Sequence, residues 1–211
     1  MMQLFGFWRS LATYRVRIAL NLKGIQVPET MIDLDRGDQH EAKFRKLNSM
    51  GAVPALVLED GTVLTQSLAI LEYLEEVEKL PALLPQEPAA RARARALCAI
   101  TAADTHPLVV PRVQGYLGQH GFDEAARMAW ARHWFTKGLE AYEIQVGPGP
   151  FCCGPEPGMA DACLASHAAG AQRFGADLGP FTAVRRIVDA CVERPEFSRA
   201  HPLRQPGAPS H

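Results

Sequence analysis

Apolar and polar positions change rhythm partway along the chain. Met2 to Phe7 is a short apolar run of strand length, and from Leu11 to Lys23 the residues Ala12, Val16, Ala19 and Leu20 recur at helical spacing until Gly24 stops them. Thr30 to Leu34 predicts a second strand and Gln39 to Leu47 a short helix. Val53 to Leu58 and Thr62 to Thr65 predict two strands around an Asp60-Gly61 turn, and Leu68 to Leu80 another helix. Beyond that the period is helical almost throughout: Ala89 to His106, Arg112 to His120, Glu124 to Ile144, Asp161 to Phe174 and Pro180 to Glu193. No internal repeat is present.

The order strand, helix, strand, helix, strand, strand, helix describes a βαβ unit followed by a hairpin and a covering helix, the layout of a thioredoxin-like domain over residues 1–80. Pro81, Pro85 and Pro88 break any helical continuation, so residues 81–88 are expected to be a linker. Residues 89–211 then form an all-helical domain. The fold class is α/β plus all-α: a thioredoxin-like domain followed by a helical bundle. The tail from His201, with Pro202, Pro206, Gly207 and Pro209, has too little apolar content for an element of its own.

Composition narrows the partners. With 47% hydrophobic residues, 21% charged residues and a net charge of -1 over 211 residues, there is no bulk attraction to nucleic acid or to an anionic membrane. No apolar run approaches the roughly 18 residues of a membrane span, and no basic segment leads into an apolar signal core. A cytoplasmic protein is expected. The five cysteines are scattered and lack paired CxxC spacing, which predicts reduced, partly buried thiols and no metal site.

Three stretches carry chemistry. In GAVPAL, Pro54 stands at the start of a strand, where its missing N–H is tolerated, and a cis Val53-Pro54 bond would turn the Val53 backbone outward as a docking edge. Gln66-Ser67 directly precedes a helix; Ser67 occupies an N-cap position, and its hydroxyl, the free N–H groups and the positive helix end suit a carboxylate. A simple capping serine satisfies the same pattern. Arg9 and Ser10 stand together at the mouth of the first helix. Glu72, Glu75, Glu76 and Glu78 read as the solvated face of the helix after Ser67.

The stretches FWRSLATYRVRIALNLKGI, LNSMGAVPALVLEDG, TQSLAILEYLEE and PALLPQ together resemble the N-terminal domain of the glutathione transferases, in particular the zeta class, which includes maleylacetoacetate and maleylpyruvate isomerases. The resemblance continues through His106-Pro107, MADACLA, QRFGADLGPF and HPLRQP, covering essentially the whole chain in register. It implies glutathione as cofactor, a homodimer, and cis–trans isomerisation of a maleyl 2,4-dioxo acid to its fumaryl form in aromatic compound catabolism. By the same resemblance, Val53-Pro54 pairs with the glutathione backbone, Gln66-Ser67 hold its γ-glutamyl carboxylate, and His106 contacts it. Ser10 matches the first serine of the zeta signature SSC and would stabilise the thiolate. Leu11 and Ala12 replace the second serine and the cysteine, so no protein thiol assists; the maleylpyruvate isomerases are similar in lacking that cysteine.

Arg173 matches an arginine that the isomerases place on substrate carboxylate, and planar guanidinium groups suit such anions. Arg9, beside Ser10, would complete a clamp for a dianion, with Arg112 as a further candidate. A salt bridge at the domain interface is the structural alternative for Arg9. Arg15 and Arg17 lie deeper in the helix, are expected to point away from its start, and read as structural. Asp161 would close a helix-capping box, but Gly158 stands where the hydroxyl residue belongs. The same thiolate would also serve conjugation or dehalogenation of small electrophiles, and the fold is shared by non-catalytic binders.

Overall fold

The structure is a computed structural model that describes residues 1–209. The chain divides into two compact units, one formed by Met1–Leu83 together with the segment from Pro195 onward, the other by Leu84–Arg194. The C-terminal boundary therefore differs from the expected 89–211 domain. Residues after Pro195 carry apolar side chains that the first unit buries, Phe197 and Ala200 among them, and the assumption that a helical half runs unbroken to the C-terminus missed this.

The first unit is built on a four-stranded sheet of β1 (Gln3–Gly6), β2 (Glu29–Met31), β3 (Ala55–Val57) and β4 (Val63–Thr65) in the order β2-β1-β3-β4. β1 runs parallel to β2, with Leu4 opposite Glu29, and antiparallel to β3, with Phe5 opposite Ala55; β3 and β4 form the hairpin. Helix α1 (Leu11–Leu22) makes the crossover between β1 and β2, and Gly24 ends it with a φ of +67°. Helix α2 (Ala42–Leu47) follows β2, and α3 (Ser67–Val77) follows β4 and packs against α1. The two faces of β1 divide by alternation. Phe5 joins Phe7, Trp8, Val53 and Phe44 of α2 in one cluster, while Gly6 lies against Thr13 of α1.

All four strands and the third helix are shorter than their apolar runs suggested. β2 covers Glu29–Met31, although Ile32 and Leu34 still pack into the α2 cluster after the ladder ends. Glu75 is not on a solvated face. It is buried and ion-paired with the Lys23 ammonium at 2.8 Å, and it also accepts the Leu83 N–H. Lys23 donates further to the carbonyls of Glu78 and Pro81, closing the C-terminal ends of α1 and α3 over the start of the connecting segment. The short helix α9 (Pro195–Ala200) docks on α1, where Asn21 donates to the Glu196 carbonyl and Tyr14 meets His201 edge-on. A single 3₁₀ turn, Pro202–Arg204, continues the tail that was expected to lack any element.

The second unit is helical: α4 (Pro88–Ala99), α5 (Pro111–Gln119), α6 (Glu124–Gln145), α7 (Met159–Arg173) and α8 (Thr182–Glu193). α7 is its axis, buried along most of its length and packed on α4, α6 and α8. The Asp161 carboxylate is also buried and accepts the N–H groups of Gly158 and Cys152. Gly158 offers no side chain in return, so the reverse half of the capping box is the half that stands. After α4 the chain continues as a π-helical stretch, Ile100–Thr105, whose Thr105 hydroxyl bonds the Ile100 carbonyl and lies 3.3 Å from His167 Nδ1. No helix among the described residues is long and apolar enough to cross a membrane.

Candidate active site

Ser10 is the N-cap of α1. Its backbone is extended (φ -69°, ψ 117°), its N–H donates to the Phe7 carbonyl at 3.0 Å, and its Oγ accepts the Thr13 N–H at 3.2 Å. Because Oγ is used as an acceptor, the hydroxyl proton is left to donate. No acidic residue occupies the first turn of α1, so the positive end of the helix dipole is not neutralised there. A polarised hydroxyl beside an unopposed helix N-terminus is a place for an anion.

Arg9, one residue earlier, forms a salt bridge with Asp35 and lies 5.2 Å from the centroid of the Phe7 ring. A salt bridge is thus present, but within the first unit, whereas the structural alternative read from the sequence put it at the domain interface. Asp35 is exposed, and an ion pair of that kind is worth about 0 to 1 kcal/mol, little enough for another carboxylate to compete.

The Val53-Pro54 bond is cis. β3 begins at Ala55, and Val53 makes no backbone hydrogen bond among the described residues, leaving its N–H and C=O outside the ladder. Gln66 is the single non-glycine residue with positive φ among those described, at φ 68° and ψ 117°. Such backbone costs about 1–3 kcal/mol and tends to persist where a ligand site requires it. Ser67 is not the N-cap expected of it: Gln66 holds that position and Ser67 is the first residue inside α3. Its buried hydroxyl accepts from Arg15 Nε at 3.2 Å. The first turn of α3 is likewise free of acidic residues.

Arg15 and Arg17 are both buried and hydrogen-bonded, and Arg17 does not point away from the helix start as expected. Side chains on a helix lean toward its N-terminus, and the Arg17 guanidinium reaches back to the Phe7 and Trp8 carbonyls. The helical period did not disclose this: Arg15 and Arg17 stand in a run buried without a break from Ala12 to Leu20, and a charge buried there requires partners.

In the second unit His106 follows the π-helical stretch and opens a 3₁₀ turn, His106–Leu108. π-Helical turns are frequent at functional positions. Arg112 is exposed in the first turn of α5. Arg173 is the exposed last residue of α7, 5.8 Å from the Phe174 ring centroid. Each unit thus presents its own group of sequence-derived residues, Arg9 and anion-suited helix ends in the first and His106, Arg112 and Arg173 in the second.

The protein has no ready thiol nucleophile of its own. All five cysteines are free, and four of them are buried. The thiol of Cys153, the accessible one, is pushed up to about 11, chiefly by desolvation. Cys152 is raised by burial and then by the Asp161 carboxylate, and Cys98 by its hydrogen bond with Cys163 and by burial.

Residues 9–77 match the family model of the glutathione S-transferase N-terminal domain. The chain is 41% identical to the maleylacetoacetate isomerase of Pseudomonas aeruginosa, over 99% of this chain and 100% of that one. Among solved structures, the holo form of a maleylpyruvate isomerase described as a bacterial zeta-class glutathione transferase superposes with a TM-score of 0.94 at 40% identity, covering 98% of this chain and 100% of the other. The maleylacetoacetate isomerase of Methylobacterium extorquens AM1, with bound malonate and glutathione, gives 0.96 at 48% identity, covering 99% and 100%. The chain belongs to the glutathione transferase family. Within it, the chain stands in the zeta class, alongside the maleyl isomerases.

Proposed function

We propose that this protein is a glutathione-dependent isomerase that converts a maleyl 2,4-dioxo acid, maleylpyruvate or maleylacetoacetate, to its fumaryl form. The observation that carries the reading is Ser10, set as the N-cap of an acid-free helix end in a chain similar over its whole length to maleyl isomerases. The barrier to be lowered is rotation about a carbon–carbon double bond. Glutathione supplies a thiol that, as thiolate, adds to the maleyl double bond; the adduct rotates about the single bond so formed and then expels the thiolate, regenerating glutathione.

A free thiol has a pKa of about 8.5, and each unit by which it is lowered requires about 1.4 kcal/mol of preference for the anion. A charge-assisted hydrogen bond from the Ser10 hydroxyl and the N-terminus of α1 are of that size. The Val53 backbone, free of the ladder, pairs with the glutathione backbone. Gln66, Ser67 and the start of α3 take the γ-glutamyl carboxylate, and His106 is a further glutathione contact. Arg9, Arg173 and Arg112 bind the substrate's carboxylates and oppose the negative charge that develops as the thiolate adds. The relative crystallised with malonate and glutathione holds the same two ligand classes, a dicarboxylate and the tripeptide. We further propose that the protein is a homodimer in the cytoplasm.

The test is an absorbance assay with maleylpyruvate and with maleylacetoacetate, each with and without glutathione. Fumaryl product only when glutathione is present, with no net thiol consumed, is the expected result. Consumption of thiol with accumulation of an adduct would instead make the protein a conjugating transferase.

A further inference from the structure

We propose that Arg17, held by Glu29, is a positioning residue that fixes the Phe7–Ser10 turn and thereby the Ser10 hydroxyl. This rests on the thiolate role proposed for Ser10.

Arg17 is 7% exposed. Its Nε donates to Glu29 Oε2 at 2.9 Å and its Nη2 to Glu29 Oε1 at 2.5 Å, a two-pronged pair that sets the plane of the guanidinium. In that plane Nη2 also donates to the Phe7 carbonyl at 3.2 Å and Nη1 to the Trp8 carbonyl at 3.3 Å. The Phe7 carbonyl is the same oxygen that accepts the Ser10 N–H. Arg17 and Ser10 are thus joined through one acceptor, and four donors of one side chain span the turn and the start of β2. An ammonium in place of the guanidinium has three donors and no planar fork, so it cannot reproduce this arrangement.

Gly6 makes room for the pair. A Cβ there would lie 2.3 Å from Glu29 Oε1 and 2.5 Å from Thr13 Cγ2, the latter on the residue whose N–H caps back to Ser10. Gly6 is not a left-handed residue; it is required by the approach of Glu29. The three residues Gly6, Arg17 and Glu29 build one arrangement, and none of them is placed to touch substrate or glutathione in the reading above.

A misplacement of about 1 Å in a reacting group can cost about 100-fold in rate. Arg17→Met, Arg17→Lys and Glu29→Gln should be compared with the unaltered protein in three measurements. The first is hydrogen exchange in the peptide covering residues 7–13. The second is the thiolate absorbance of bound glutathione against pH, and the third is kcat and KM for the maleyl acid. We expect Arg17→Met to accelerate exchange in that peptide, to leave about tenfold less thiolate at neutral pH, and to lower kcat by about 10- to 100-fold with little change in KM. Arg17→Lys and Glu29→Gln should fall between it and the unaltered protein. If Arg17→Met fails to fold, these two milder variants carry the comparison.

Unchanged exchange in residues 7–13 would overturn the clamp. Faster exchange with an unchanged thiolate fraction and unchanged kcat would reduce Arg17 to a structural role and overturn the proposal equally. A parent protein that shows neither bound thiolate nor turnover would remove the isomerase reading instead, while the exchange measurement would still decide whether Arg17 holds the turn.

Discussion

Arg9 has two partners competing for one guanidinium. In the structure it is paired with Asp35 and lies against the Phe7 ring, whereas the proposed mechanism requires it on a substrate carboxylate. Each partner's claim can be measured. Arg9→Ala is expected to raise KM for the dianionic maleyl acid by about 10- to 100-fold, the loss of a charge-assisted hydrogen bond, while leaving KM for an uncharged electrophile within about twofold. Equal losses on both substrates would exclude a carboxylate contact. Asp35→Asn, by releasing Arg9, is expected to lower KM for the maleyl acid by about two- to threefold, since an apparent affinity is reduced by the fraction of sites already occupied internally.

At the level of elements, α8 shows how a helix is capped from outside its own sequence. Phe181 at its N-cap has no polar side chain to offer. Glu143 of α6 takes its place, accepting from the Thr182 hydroxyl and from the Ala183 and Val184 N–H groups at 2.9 Å each. Burial pushes the Glu143 carboxyl up, but those hydrogen bonds outweigh it and leave the group below the usual glutamate range. A carboxyl depressed on folding contributes stability above its unfolded value of about 4.3, and that contribution is lost as pH falls through the folded value. Glu143→Gln should therefore cost about 1 kcal/mol in urea unfolding at pH 7, the typical worth of a cap, and the deficit should shrink toward zero in strongly acidic buffer. A deficit that does not change with pH would mean that packing, not charge, is what Glu143 supplies.

Across the whole molecule, what the sequence disclosed follows from how local each signal is. The five long helices of the second unit, α1 and the hairpin are written in periodicity and turn residues that neighbours in sequence decide. Val53-Pro54 and Gln66-Ser67 were legible for the same reason, although the cap moved by one residue because a positive φ at Gln66 cannot be read from a glutamine. Long-range partnerships were not legible. Glu75 looks like any helix-surface glutamate until Lys23 is folded against it, and Arg17 shows its acceptors only when the turn before the helix is in place. The place of α9 in the first unit was not legible for the same reason, since nothing near Phe197 in sequence says that α1 will bury it.

That assignment has its own test. Deleting the residues from Pro195 onward removes the side chain of Phe197, which is 0% exposed, and uncovers α1. We expect limited proteolysis of the shortened chain to cut within residues 1–83 first, with residues 84–194 retaining their protection, because emptying a buried phenylalanine site costs about 3–5 kcal/mol. Preferential cutting within 84–194 would contradict the division.

The docking of α9 also has a meaning in time. A ribosome delivers the sheet and its covering helices early, yet the piece that closes over α1 emerges only after every residue of the helical unit has been made. Domains generally fold as they are synthesised, N-terminal first. Here the first unit is begun before the second and closed after it, and its α1 face waits uncovered until Pro195–Ala200 arrives.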